Sequence, residues 1–130
     1  MLTNGQVAHF NTFGFLTLRG VLTPEEITII KRESDEIFDE ARGGMPYLGD
    51  LEILHPFFER RPFMSTLVAD DRFYGVAESL LGDDFFLDVT EGWRKKGPTF
   101  WHGSGEYAEN IRSVKFSFYI EPLTRDTGCL

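Results

Sequence analysis

Ser113-Val114-Lys115-Phe116-Ser117-Phe118-Tyr119-Ile120-Glu121 alternates without a break. Val114, Phe116, Phe118 and Ile120 fall on one side of an extended chain, and Ser113, Lys115, Ser117 and Tyr119 on the other. Successive side chains of a strand point to opposite faces, so the pattern predicts a half-buried strand. Residues 124–128 read as a polar turn, and Cys129-Leu130 as the first step of another strand. Upstream, residues 85–90 (FFLDVT) and Phe100-Trp101-His102 are strand-like as well.

Toward the N-terminus the period changes. Residues 62–82 predict a helix broken at Asp70-Asp71, with Phe73, Val76, Ala77, Leu80 and Leu81 as its apolar stripe and Gly82 as its stop. Residues 45–61 have no clear period and predict an irregular connection. Before them lies a strong helix start. Thr23 is an N-cap, Pro24 suits the first helical position, and Glu26 completes a capping box. Ile27, Ile30, Ile37, Phe38 and Ala41 then follow at helical spacing, and Gly43-Gly44 ends the run. Residues 14–19 (GFLTLR) are a short strand candidate. Helices first and strands second predict an α+β fold in one domain over residues 1–130, mainly helical over 1–82 and strand-rich over 83–130. Two or three strands are too few to close a sandwich or barrel. The reading is therefore a C-terminally truncated piece of a larger domain, or a small domain that self-associates through exposed strand edges.

The totals narrow the class. An apolar fraction of 42% with 13 Phe gives a chain that folds rather than a disordered one. A net charge of −8 argues against nonspecific binding to nucleic acid or to an anionic membrane. A single cysteine, no signal-peptide pattern and no apolar run of membrane-spanning length fit a reducing, cytoplasmic location.

Chemistry concentrates in residues 98–106, PTFWHGSGE. A histidine at a strand end beside a glycine turn can turn its imidazole into a cavity. His-x-Asp on such a strand brings two metal ligands together, and a second histidine completes the facial triad of non-haem Fe(II) oxygenases. His102 has the first position, but Ser104 stands where the carboxylate belongs. A lone histidine is otherwise a packed or surface residue. Trp93-Arg94-Lys95-Lys96 is a small basic cluster, read either as a contact for an anionic substrate or as a solvated loop.

Taken together, HFNTFGFLTLRGVLTPEEI (9–27), LLGDDFFLDVTEG (80–92), FWHGSGE (100–106) and VKFSFYIEPLTRDTGCL (114–130) resemble, in order and spacing, the N-terminal half of the phytanoyl-CoA dioxygenase family. The resemblance implies a double-stranded β-helix, or jelly roll, with helices packed on one side. It implies Fe(II) as metal, 2-oxoglutarate as cosubstrate, and a small-molecule or acyl-CoA-like substrate. His102 aligns with the first iron ligand and Ser104 with the carboxylate ligand. Glu106 is a candidate substitute, and Lys115, Ser117 and Tyr119 would line the cavity, or else face solvent. The family's distal histidine and its 2-oxoglutarate arginine fall beyond Leu130, and neither His9 nor His55 matches them. Ser104 leaves open a degraded site, a vacant ligand position as in related halogenases, or replacement by Glu106. The rival expectation is a catalytically inert jelly-roll module used for binding or assembly.

Overall fold

The computed structural model describes residues 1–97 and 112–124. Within them the chain mixes helix and sheet, as expected for α+β. The order is α1 (Asn4–Phe13), α2 (Pro24–Ala41), β1 (Leu51–Leu54), a 3-10 turn (Phe58–Arg60), α3 (Pro62–Val68), α4 (Asp71–Leu81) and β2 (Gly92–Lys95). Among the described residues no helix is long and apolar enough to cross a membrane.

The capped helix stands where its sequence places it. Thr23 Oγ1 accepts from the Glu26 N–H at 3.2 Å, and the Thr23 N–H donates to Glu26 Oε2 at 2.8 Å. The box satisfies two donors that a helix start leaves orphaned. The break at Asp70 is also real. Its carboxylate caps α4 by accepting from the Arg72 N–H at 2.8 Å. One helix was not expected. Thr3 and Gln6 form a second capping box, and α1 ends at Gly14, whose φ of 76° is the left-handed conformation that glycine adopts freely.

The buried side of α2 carries Ile30, Glu33, Ser34, Ile37 and Phe38. Ile37 and Phe38 pack with Phe57 and Met64, and Ile30 packs with Leu67 and Phe73. The half-buried Phe58 touches both clusters and joins them into one core.

The strands differ from their sequence reading, beginning with residues 14–19, which form no ladder. Residues 45–61, expected to be irregular, supply β1. Residues 92–95, expected as a charged loop, supply β2. The two pair antiparallel, with Leu51 opposite Lys95 and Ile53 opposite Trp93. Alternation did not show in LEIL because Leu51 and Ile53 are apolar yet face outward. Residues 85–90 form no ladder; Phe86, Leu87 and Val89 are exposed, and only Thr90 is buried. Residues 112–120 keep the predicted alternation, with Val114, Phe116, Phe118 and Ile120 half-buried and Lys115, Ser117 and Tyr119 exposed. They belong to no ladder either. The strand expected at Phe100-Trp101-His102 lies outside the described residues.

Candidate functional site

Lys115, Ser117 and Tyr119, proposed from the sequence to line a cavity or else to face solvent, are all exposed. Inward neighbours fix their segment. The Phe118 ring lies 5.0 Å from Phe73 and 5.7 Å from Phe58, and Phe116 lies 6.2 Å from Phe73. That docking leaves the odd-numbered side chains pointing away from the helices, because side chains alternate along an extended chain.

Lys115 does not stand alone. Its ammonium lies 3.2 Å from Glu91 Oε2 and 5.2 Å from the centre of the Trp93 ring. The Trp93 indole N–H donates to the same carboxylate oxygen at 3.1 Å. Burial pushes the Glu91 carboxyl up, but the hydrogen bonds from Lys115 and Trp93 and the nearby positive charge outweigh it, so the group sits below its ordinary value. Glu91 is therefore a carboxylate at neutral pH that already holds the Lys115 ammonium. In this arrangement Lys115 is matched internally rather than presented to an anionic cosubstrate. Sequence reasoning missed Glu91, because nothing in the local pattern links it to a lysine 24 residues away.

The neighbouring basic residues are tied down too. Arg94 lies on the inward face of β2, with its guanidinium 4.6 Å from the centre of the Phe38 ring and Nη2 2.5 Å from Asp35 Oδ1. Lys96 lies over the Tyr47 ring at 4.8 Å. The loop expectation is corrected: Trp93, Arg94 and Lys95 lie in β2, and Arg94 ties that strand to Asp35 and Phe38 of α2.

A stronger electrostatic node was also missed. The Arg72 guanidinium donates to Glu26 Oε1 at 2.7 Å, to Asp70 Oδ2 at 2.7 Å and to the Val21 carbonyl at 2.8 Å. It ties the start of α4 to the start of α2. Hydrogen bonds from Arg72 hold the Glu26 and Asp70 carboxyls down to about 2. Its role is structural, since every donor direction is spent on the protein.

His102, Ser104 and Glu106 lie outside the described residues, as does Cys129. His9 is an exposed residue of α1, packed beside Phe13 and Phe15 at 4.7 and 5.4 Å between ring centres. His55 is exposed and precedes Pro56. Among the described residues no group of three or more His, Cys, Asp or Glu side chains could hold a metal ion. The donor set named by the sequence is one imidazole, one neutral hydroxyl and one carboxylate. It lacks the second imidazole of a facial triad, and a serine hydroxyl binds Fe(II) poorly. These donors do not by themselves fit a resident iron.

Comparison with known proteins adds no relative: no family model, no curated protein and no solved structure matches the chain.

Proposed function

We propose that this chain forms part of a non-haem Fe(II)- and 2-oxoglutarate-dependent dioxygenase of the phytanoyl-CoA dioxygenase type, acting on a small-molecule or acyl-CoA-like substrate. A resemblance carries the reading: four segments spread over residues 9–130 resemble the family's N-terminal half in order and spacing, and FWHGSGE resembles its metal-binding strand. The α+β mixture is compatible with helices packed on one side of a jelly roll. The jelly roll itself is part of the proposal.

In this reading His102 supplies the first nitrogen ligand and Glu106 the carboxylate that Ser104 cannot. A second histidine, and an arginine for the cosubstrate, come from chain outside these 130 residues. Lys115 would face the cavity only after giving up its contact with Glu91.

The test uses the longest natural form of the protein with added Fe(II) and 2-oxoglutarate, read out as succinate. Turnover that is lost in His102→Ala supports the reading. Raised iron affinity in Ser104→Asp supports the alignment at that position; unchanged affinity counts against it. Ser104 favours a second reading, an inert module that binds without turnover. Binding of 2-oxoglutarate with no succinate formed under any iron loading selects that one.

A further inference from the structure

Residues 112–120 are an extended segment that docks on the helices yet belongs to no ladder. Among the described residues no backbone–backbone hydrogen bond joins them to the rest of the chain. Side chains hold them instead. Phe116, Phe118 and Ile120 pack on the cluster of Ile30, Leu67 and Phe73, and the Phe118 ring also meets Phe58 at 5.7 Å. An ion pair stands on either side of these contacts. Lys115 holds Glu91 at 3.2 Å, and Glu121 holds Lys31 of α2.

Proteins open locally in cooperative units, and the units that open most easily have few buried apolar contacts and few backbone hydrogen bonds. Detaching residues 112–121 breaks no ladder, whereas unfolding α2 or α4 breaks every bond along the helix. The two core clusters also depend on the segment differently. Ile37, Phe38, Phe57 and Met64 pack with Leu54 and Phe58, none of which belongs to it. Ile30, Leu67 and Phe73 would lose its three apolar side chains but keep Val21, Leu22, Phe58 and Phe63. The ion pairs resist detachment only weakly. The side chains of Lys31, Glu121 and Lys115 are 47%, 67% and 66% exposed, and pairs open to water add little.

We infer that residues 112–121 are a latch, which comes off the helices as a unit while α2, α3 and α4 stay folded. Its opening releases Lys115 from Glu91 and uncovers the apolar groove at Leu67 and Phe73 that the closed latch fills. This stands apart from the oxygenase proposal, since it uses neither His102 nor a metal.

The experiment is methyl NMR of the 130-residue wild-type chain through a urea titration. Ile120 reports the latch, and Ile37, 1% exposed in the first cluster, reports the helices. The Ile120 signal should reach its unfolded position at lower urea than Ile37 and with a smaller slope, because less surface is exposed in that step. Phe118→Ala removes the ring that meets both Phe58 and Phe73. It should raise the open fraction at least about tenfold and leave the Ile37 midpoint in place. Lys115→Gln and Glu121→Gln should each raise it by up to about fivefold. Coincident transitions at Ile120 and Ile37 in the wild type overturn the inference, because the segment is then integral to one cooperative fold. So does an Ile120 signal already at its unfolded position without urea, a Phe118→Ala variant that moves both midpoints equally, or an Ile120 midpoint indifferent to all three substitutions.

Discussion

Residues 24–81 and residues 84–124 meet the same demand, to bury apolar side chains while leaving no backbone group unpaired, and they meet it differently. The helical half works locally. Thr23 and Asp70 cap α2 and α4, the helices close their own hydrogen bonds, and Ile30, Ile37, Phe38, Met64, Leu67 and Phe73 face a shared interior. Among the described residues the later half has Gly92–Lys95 in a ladder, within a two-stranded sheet. Such a pair is marginal by itself. Among the described residues, 112–120 are held by ring contacts and by the Lys115–Glu91 ion pair rather than by backbone bonds. A helix can be complete within its own sequence, whereas a strand is complete only with a neighbour. Stability should therefore reside in the first half, and substitutions can test that division.

The largest loss should come from Met64→Ala. Met64 is 0% exposed at the centre of the first cluster. Truncation leaves a cavity that costs about 2–5 kcal/mol, measured by urea unfolding. Gly92→Ala should come next and probes the seam between the halves. A Cβ there would lie 2.1 Å from the Phe57 ring, so either the ring or β2 must move. Overpacking of this kind costs about 1–3 kcal/mol. If Gly92→Ala matches Met64→Ala in cost, the small sheet is integral to the core rather than an attachment to it.

The sequence made the helical half legible because its signals are short-range. The capping box at Thr23, the stripe of α2 and the stop at Asp70 need only a few neighbouring residues. Thr3-x-x-Gln6 carries the same short-range signal, but α1 has no buried stripe to reinforce it. β1 and β2 were not legible. Leu51, Ile53 and Trp93 face outward, so polarity does not alternate as a half-buried strand should. The alternation of residues 112–120 was legible, and so was its half-burial. Its lack of a ladder was not, because pairing depends on residues elsewhere. The contact of Glu91 with Lys115 was hidden for the same reason.

Glu33 gives the reverse sign. It is 8% exposed on the buried side of α2, and its Oε2 has no hydrogen-bond partner. A buried polar group without a partner costs about 1–3 kcal/mol. Glu33→Met keeps the length and removes the unpaired oxygen, so it should raise the unfolding free energy by about 1 kcal/mol. A loss instead would show that the carboxylate is satisfied in solution.

The Arg72 node predicts a pH response that originates in the helical half. Glu26 falls from 4.5 to about 2 and Asp70 from 3.8 to about 2 on folding, chiefly through hydrogen bonds from Arg72. Depressed carboxyls stabilise the fold fully above their ordinary values and lose that contribution as pH falls through the folded ones. Stability should decline between about pH 4.5 and about pH 2. Arg72→Met should flatten the slope in that window. An unchanged slope would place the acid sensitivity elsewhere.

The smallest effect is the sharpest test of the contrast. Phe86 lies in a stretch whose sequence predicts a strand, and a strand phenylalanine is ordinarily half-buried. Here it is 82% exposed. Phe86→Ser should then change the unfolding free energy by no more than about 0.5 kcal/mol, as for surface substitutions generally. Two similar residues, Phe57 in the core and Phe86 outside it, would differ in worth because one has neighbours and the other does not. If Phe86→Ser instead costs more than about 1 kcal/mol, the ring is covered in solution. Residues 85–90 would then contribute to stability as the helices do, and the two halves would be more alike than their backbones suggest.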